Sequence, residues 1–407
     1  MVDVRASETW QRVEEHFRRI HEPRFGSPHR LLELAAGPDA SQLVVTGHVY
    51  DALEGLPRQA AYRLDVGKLV PLGPETWSTR QPKVSPDGNR VLVLSDEADR
   101  GVFQLVIDGT PAPQVPGTVE YADWSPDGNR VLLGVAGRGA DLAGGQGSGT
   151  TKATVVDLPG WHPLVDAGVS EEAWRSLWVY DTRSSTLECW SPPQVNVWEA
   201  SWFGSTHALV VTSPSPDEGA WYTATLQSLS ADGSLRTLHT PEVQLGWPAG
   251  SPSGAGYAVV EAICSDRWIV AGDLLVSTGG SAPERVDTLG VDVTSVRWLD
   301  DTRLGIAGVR GLETVVAVHE VMEGKTVELW VSADTSCGLR HPEVAWTGDG
   351  QCVLVEEGYA LPQRIAVLAD GRSKVVLDNA HEGTSYLLGV CGTAQAVAWQ
   401  APDGTRI

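Results

Sequence analysis

The sequence lacks most of the features that would indicate a membrane, secreted or nucleic-acid-binding protein. No apolar run approaches the roughly 20 residues of a membrane-spanning helix, and the first 20 residues carry charges where a signal peptide needs an apolar core. Lys and Arg number 30 against 52 Asp and Glu, which gives a net charge of −22 without any basic run. We therefore expect a cytoplasmic protein that binds neither membranes nor nucleic acid.

Cysteine, methionine and phenylalanine are also scarce. The chain has 2 Met and 4 Phe but 16 Trp, so tryptophan dominates its large side chains. No two of the five cysteines have the spacing of a CxxC motif or a zinc site. We expect reduced, mostly buried thiols and no cofactor; the cysteines are Cys189, Cys264, Cys337, Cys352 and Cys391.

Two segments of the chain are nearly identical. Residues 84–92 read VSPDGNRVL, and residues 124–132 read WSPDGNRVL. Ser-Pro-Asp-Gly favours a type I turn, because proline presets φ at the second position while Asp and Gly suit the next two. Strand-forming residues follow each turn. Each copy therefore predicts a strand, a tight turn and a second strand.

The residue before this turn marks a position that recurs along the chain, which we call the slot position. Intervals of 48, 40, 78, 48, 48 and 48 residues separate its seven occupants, and a period of roughly 40–50 residues is typical of a propeller blade. We predict that large rings in the slot pack between neighbouring sheets. A weaker copy near Gly392 leaves eight blades open. The seven occupants are Ala36, Val84, Trp124, Trp202, Gly250, Trp298 and Trp346.

The residues between the turns favour strands over the helices of a solenoid. Segments 177–180, 315–318 and 365–368 are short, apolar and rich in strand-forming residues. We predict an all-β fold, a seven-bladed β-propeller with a short N-terminal helix. We also expect the last strands, near Tyr386 to Trp399, to pair with an early strand and close the ring.

The N-terminal region departs from the repeat. Within residues 8–20, Trp10, Val13, Phe17 and Ile20 recur at helical spacing and predict an amphipathic helix. We expect the face with Trp10 and Phe17, together with one rim of the ring, to expose apolar surface that another domain would cover.

An insertion of about 30 residues accounts for the 78-residue interval. It covers approximately residues 137–172, with a Gly-rich part that we expect to be flexible and an aromatic part that we expect to dock on the ring. The predicted domains are a helix and lead-in at 1–30, the propeller at 31–400, and the start of a linker at 401–407.

Catalytic motifs are missing from the sequence. The closest match to the Gly-x-Ser-x-Gly elbow of α/β-hydrolases, at residues 168–172, lacks the final glycine. The Gly-rich residues 145–149 lack the strand and the Lys-Ser/Thr of a phosphate-binding loop. A metal site assembled at the ring axis stays open. We expect surface or hydrogen-bonded roles for the scattered histidines His162, His207, His239, His319, His341 and His381.

Glu171 and Glu172 are the candidate substrate-binding residues. Adjacent carboxylates in a propeller insertion suit the amino terminus of a peptide, which they would bind by charge-assisted hydrogen bonds. The alternative is a solvated helix start, capped by Ser170, with acidic residues in the first turn. The sequence does not distinguish between these two interpretations.

The Ser-Pro-Asp-Gly turns resemble those in the propeller domains of the prolyl oligopeptidase family of serine peptidases. Residues 298–304 and 328–330 look most like the acylaminoacyl-peptidase branch, and the resemblance covers residues 8–407. In that family a segment similar to residues 399–407 leads into an α/β-hydrolase domain. The resemblance implies a propeller that covers the active site and admits short, flexible peptides. The family's catalytic Ser, Asp and His have no counterpart here, so we expect no catalytic residue in this chain.

Three hypotheses about function remain. The first is a substrate-gating propeller that is inert alone and whose partners are an α/β-hydrolase domain, joined or separate, and a short peptide. The second is a stand-alone propeller that binds a protein or peptide. The third is a propeller enzyme, such as a lactonase or glycosidase, for which the sequence offers no set of residues. Self-association into a homo-oligomer stays open.

Overall fold

Seven antiparallel sheets, each built from strands that follow one another in sequence, form the body of the protein. We describe them from a computed structural model covering residues 3–73, 76–138, 140, 171–264, 267, 269–338 and 340–407. The first strands of successive sheets contact one another at the centre, and the later strands lie progressively outward. This arrangement is a seven-bladed β-propeller, as predicted.

The first four blades contain the strands of the N-terminal half. Blade 1 consists of β1 (Pro28–Ala36), β2 (Leu43–Val49), β3 (Arg58–Asp65) and β4 (Lys68–Pro71). Blade 2 consists of β5 (Thr79–Val84), β6 (Val91–Asp99), β7 (Val102–Ile107) and β8 (Thr110–Pro111). Blade 3 consists of β9 (Thr118–Trp124), β10 (Arg130–Ala136), β11 (Arg175–Asp181) and β12 (Thr186–Cys189). Blade 4 consists of β13 (Asn196–Phe203), β14 (His207–Ser213), β15 (Thr225–Ser230) and β16 (Leu235–His239).

The last three blades follow the same plan. Blade 5 consists of β17 (Gln244–Gly250), β18 (Gly256–Ala262), β19 (Asp273–Thr278) and β20 (Glu284–Arg285). Blade 6 consists of β21 (Asp292–Trp298), β22 (Arg303–Arg310), β23 (Glu313–Glu320) and β24 (Lys325–Ser332). In blade 7 the inner strand is split into β25 (Thr335–Cys337) and β26 (Ala345–Trp346), followed by β27 (Cys352–Gly358), β28 (Leu361–Ala369) and β29 (Arg372–Asp378).

The slot positions mark the same place in every blade. Each lies at, or one residue before, the end of the first strand, so the predicted turn joins the first strand to the second. In blade 2, Gly88 donates its N–H to the Ser85 carbonyl at 2.8 Å and has a φ of 75°, which glycine adopts without a steric cost. Asp87 accepts hydrogen bonds from the Ser85 hydroxyl and the Asn89 N–H.

The slot tryptophans connect neighbouring blades. All four are buried, as predicted. Three of them also donate the indole N–H to the carbonyl that precedes the slot of the blade before. A ring that fills the gap between two sheets therefore also fixes their relative position. These hydrogen bonds join Trp124 to Lys83 at 3.4 Å, Trp202 to Asp123 at 3.0 Å, and Trp298 to Ala249 at 3.0 Å.

The prediction of a shared closing strand was wrong. Within the described residues, blade 7 is complete by Asp378, and no later strand pairs with blade 1. Instead, the Gln363 side chain accepts from the Leu31 N–H at 2.7 Å and donates to the Leu31 carbonyl at 3.1 Å. Apolar packing between blades 1 and 7 surrounds these bonds. Side chains therefore hold the ring shut where we had expected a strand.

Helices occupy one end of the ring. α1 (Glu8–His21) confirms the predicted helix and begins at Ser7, whose hydroxyl accepts from the Trp10 N–H at 3.2 Å. The short α2 (Glu218–Trp221) lies in blade 4. In the C-terminal region, α3 (Glu382–Val390) replaces a strand that we had expected. Because strands alternate in direction, β1 starts and β29 ends on the same side. We call this side the helix end and the opposite side, with the slot turns, the turn end.

The insertion lies between β10 and β11 of blade 3, at the helix end. Most of it, including the predicted flexible and docking parts, lies outside the described residues. No disulfide joins the described cysteines, but only Cys337 and Cys352 are buried, so the expectation of mostly buried thiols was wrong. In the part of the chain that the structure describes, no helix is long and apolar enough to cross a membrane.

Candidate functional site

The inner strands carry an irregularity near the same position in every blade. The pairing register shifts just before the slot in blades 1 to 6, and the inner strand of blade 7 is interrupted there. Such bulges redirect side chains. Here they bring polar groups of different blades together around the axis, at the helix-end half of the ring. The residues nearest the bulges include Glu33, Gln81, Glu120, Glu199 and Trp247.

Glu33 joins blades 1 and 2. Its carboxylate accepts hydrogen bonds from the Thr46 hydroxyl at 2.8 Å and the Gln59 amide at 2.9 Å. It also accepts from the backbone N–H of Gln81 at 2.8 Å, where Gln81 has a φ of 52°. Burial raises the pKa of Glu33, although these hydrogen bonds oppose the change. With both oxygens engaged, Glu33 serves as a structural connection.

An ion triad joins blades 3 and 5. Glu120 of blade 3 accepts from Arg175 Nε at 2.9 Å and Nη2 at 3.1 Å, and from Arg267 Nη2 at 3.3 Å. Arg267 belongs to the connection between β18 and β19 of blade 5, and its Nη1 donates to the Trp198 carbonyl of blade 4 at 3.1 Å. Both guanidinium groups are buried and also face the Trp198 ring.

The charges of this triad do not cancel. Two guanidinium groups meet one carboxylate, and burial makes their interaction stronger than on the surface. Burial alone would raise the pKa of Glu120, but Arg175 and Arg267 outweigh it and hold that pKa below its ordinary value. The triad is therefore an ionised unit with an excess positive charge.

Glu199 lies beside the triad with one oxygen unsatisfied. Its Oε2 accepts from the Trp247 N–H at 2.8 Å, whereas Oε1 has no hydrogen-bond partner and the residue is only 4% exposed. Burial raises the pKa of Glu199 to about 7, against the opposing effects of the Trp247 N–H and Arg267. Near neutral pH this carboxyl group can therefore either donate or accept a proton.

Glu199 and Glu33 occupy equivalent positions. Each binds the backbone N–H of the residue 48 positions later, and both of those residues, Trp247 and Gln81, have a positive φ. The contrast between them is chemical, because Glu33 is saturated with hydrogen bonds and Glu199 is not. The sequence signal for both is an acidic residue three positions before the slot.

The predicted substrate-binding residues lie near the triad in sequence. Glu171 and Glu172 belong to a single 3-10 turn, Glu171–Ala173, just before the strand that starts with Arg175. Glu172 is exposed. Their role in binding a substrate stays a prediction. Ser170, the proposed cap, and His162 lie outside the described residues.

The other predicted histidines have separate locations. His319 is buried and lies 3.0 Å from the Thr326 hydroxyl, His207 contacts Thr206, and His239 contacts Glu261. His381 instead stacks on His29, which in turn stacks on His21; neither His21 nor His29 was among the predicted histidines. Within the described ranges, no group of three His, Cys, Asp or Glu side chains is arranged to hold a metal ion.

The helix end also exposes apolar side chains. On α1, Trp10, Val13 and Phe17 are 43%, 47% and 48% exposed, which confirms the expected apolar surface of this helix. Val390, at the end of α3, and Trp399 are also exposed. Two features thus share one end of the ring: the buried, charged triad and an apolar helical surface.

The fold and this axial cluster define a seven-bladed propeller with a polar axis. The chain is similar in structure to the β-propeller domain of the Trilobed protease from Pyrococcus furiosus, described as having an open velcro topology. The TM-score is 0.58 at 10% identity, and the match covers 86% of this chain and 99% of that one.

Two longer peptidases also match over part of their length. The acylaminoacyl peptidase of Pyrococcus horikoshii gives a TM-score of 0.61 at 10% identity, covering 91% of this chain and 55% of that one. A puromycin-hydrolyzing peptidase of Mycobacterium tuberculosis gives 0.58 at 13% identity, covering 95% and 58%. This chain thus spans little more than half of either peptidase. No family profile and no curated protein matches the sequence. At these identities the likeness establishes the fold.

Proposed function

We propose that this chain is the substrate-gating propeller of a cytoplasmic serine peptidase similar to prolyl oligopeptidases and acylaminoacyl peptidases. Residues 1–30 and 401–407 would flank the propeller and lead to an α/β-hydrolase domain that supplies the catalytic residues. Alone, the propeller is catalytically inert.

One observation carries the proposal: the buried, charged triad and the exposed apolar surface of α1 lie at the same end of the ring. A hydrolase domain seated there would cover Trp10, Val13 and Phe17 and would place its active site over the axis. The matched peptidases support this choice of partner, since each has a further segment beyond its propeller.

The axis would then act as a filter. The ion pairs of Glu120 with Arg175 and Arg267 would place fixed charges near the axis, so that only a short, flexible peptide would pass. Glu171 and Glu172, which precede the strand that starts with Arg175, would attract the amino terminus of such a peptide. Replacing both with glutamine should weaken peptide binding without changing the fold.

Inertness has a direct test. The purified chain is incubated with aminoacyl and acyl-peptide chromogenic substrates, with and without a serine-directed covalent inhibitor. The proposal predicts no inhibitor-sensitive turnover. Turnover that the inhibitor abolishes would place a catalytic serine in this chain and refute the proposal.

The second candidate is a stand-alone propeller that binds a protein or peptide. The exposed apolar residues of α1 and α3 also suit such a partner. The two candidates differ in what the bound partner is, since only the first requires a domain with a Gly-x-Ser-x-Gly nucleophile elbow.

A further inference from the structure

Three imidazole rings form a continuous stack where α1 and α3 meet blade 1. The His21 ring, at the end of α1, lies 5.0 Å from the His29 ring of β1, and the His29 ring lies 5.5 Å from that of His381. Tyr50 closes one side, 4.6 Å from His21 and 5.3 Å from His29. We call His21, His29 and His381 the histidine stack.

Half of the six ring nitrogens in the stack are buried without a hydrogen-bond partner. Neither ring nitrogen of His29 has a hydrogen-bond partner, and neither does His21 Nδ1, although all three atoms are buried. Such a site tolerates neutral rings far better than charged ones, because a buried charge needs an opposite charge or hydrogen bonds. Stacked imidazolium rings would in addition repel one another.

The charged groups around the stack would not compensate for its protonation. Arg24 is itself a nearby cation, and it bonds to the Asn379 side chain. The acidic side chains of the surrounding elements bond to other groups or are exposed. Glu22 pairs with Arg18, Asp51 with Arg58, and Glu357 with Arg30. Asp378 accepts from the Ala380 N–H, and Glu382 is exposed. His48 and His16 add further titratable groups, with His16 bonded to Tyr386 at 2.9 Å. Among the described residues, no carboxylate contacts the stack.

His381 adds an independent reason for pH sensitivity. Its Nδ1 accepts the Gly383 N–H at 3.1 Å and so caps the start of α3. A protonated imidazole has no acceptor nitrogen. It would also put a positive charge at the positive end of the helix dipole. Protonation therefore removes the cap of α3.

The attachment of α1 relies on this region. Every residue of α1 is at least partly exposed, so little other burial holds the helix to the ring. Apart from the turns that flank it, α1 contacts α3, where Gly383 packs so closely on the Ile20 carbonyl that a Cβ there would lie 2.0 Å from it. Loss of the stack and loss of α3's cap would therefore release α1 together.

We propose that the histidine stack is an acid-sensitive latch, which holds α1 on the propeller when its rings are neutral and releases it when they are protonated. The inference concerns this chain alone and does not depend on the proposed peptidase function. Release would change which surface the helix end offers to any partner.

The direction and size of the pH effect on α1 docking follow from the pKa of His29. Burial, followed by the charges of His21, His381, Arg24 and His48, lowers this pKa to about 4 from an ordinary value of 6.5. Burial also lowers the pKa of His21 and His381. A depressed histidine pKa means that docking is strongest above pH 6.5 and weakens as the pH falls toward 4. His29 alone would reduce the docking constant about 30-fold between pH 8 and pH 5.

Hydrogen–deuterium exchange of the purified chain tests the latch. Labelling times at pH 7.5 and pH 5 are scaled for the intrinsic pH dependence of amide exchange. We expect protection of α1 to fall by roughly tenfold or more at pH 5, because an undocked helix of this length is marginal in water. Peptides from β22 and β23 should keep their protection. An unchanged α1 would overturn the proposal.

Two variants assign the effect to the stack. His29→Phe retains an aromatic ring but cannot be protonated, so α1 should stay protected at pH 5. His381→Asn retains a helix cap without the titration, and it should reduce the pH effect. His207→Gln, a distant control, should behave as the wild type. If His29→Phe fails to fold, the result for His381→Asn decides whether the stack causes the pH effect. If the folded stack variants lost as much protection of α1 at pH 5 as the wild type does, the latch would be refuted.

Discussion

Removing Glu120 should destabilise the propeller far more than removing a surface carboxylate. In Glu120→Gln, the buried guanidinium groups of Arg175 and Arg267 lose the charge that compensates them. Breaking a buried ion pair by removing one partner costs about 3–5 kcal/mol. For a cooperative chain of 407 residues, this corresponds to a fall in Tm of about 4–6 °C.

The assay is urea and thermal unfolding of the wild type and the variant at pH 7. The matched control is Asp273→Asn, which removes the acid of the exposed Arg285–Asp273 pair and should cost no more than about 1 kcal/mol. Adding Arg267→Leu to Glu120→Gln should cost less than Arg267→Leu alone, since the two residues interact. A Glu120→Gln variant as stable as Asp273→Asn would refute the view of the triad as a buried, ionised unit.

Three further predictions concern other parts of the ring. Glu199 has a pKa raised to about 7, so the wild type loses stability as the pH rises through that value. Glu199→Gln should therefore gain about 2–3 kcal/mol relative to the wild type between pH 5 and pH 8, and urea midpoints at the two pH values would show it. Gly305→Ala would place a Cβ 2.3 Å from the Trp346 ring and should cost about 1–3 kcal/mol, whereas Gly389→Ala, with open space in α3, should be neutral or stabilising. Trp298→Phe loses the hydrogen bond to Ala249 and should lower the free energy of unfolding by about 1 kcal/mol or more; no loss would contradict the role of the slot tryptophans in joining blades.

Local turn chemistry explains why much of the fold could be predicted. Proline, aspartate and glycine specify the turn at Ser85–Gly88 without any distant contact. The number of times that this turn recurs gives the number of blades. The helix at Glu8–His21 was equally local, since one apolar stripe and Ser7 define it. The ring closure was not local. Whether Gln363 or a strand meets Leu31 depends on contacts between residues over 300 positions apart, which periodicity does not reveal.

The axial site was harder to predict for the same reason. Glu120 and Arg175 belong to blade 3, whereas Arg267 comes from the connection between β18 and β19 of blade 5. A signal was nevertheless present, because Glu33 and Glu199 each stand three residues before a slot, where a bulge redirects the side chain. Counting back from the slots would have found these acids, but the bulges themselves are not visible in sequence. The histidine stack joins positions 21, 29 and 381, which no spacing rule connects.

The proposed partnership with a hydrolase domain has one most direct test. The nucleotide sequence after the codon for Ile407, and the genes beside it, are read for a domain with a Gly-x-Ser-x-Gly elbow. The account predicts such a domain, in the same frame or in an adjacent gene, and predicts that its product binds this chain and gives inhibitor-sensitive peptidase activity. A stop codon at that point with no such domain nearby would contradict the peptidase proposal and favour the stand-alone propeller.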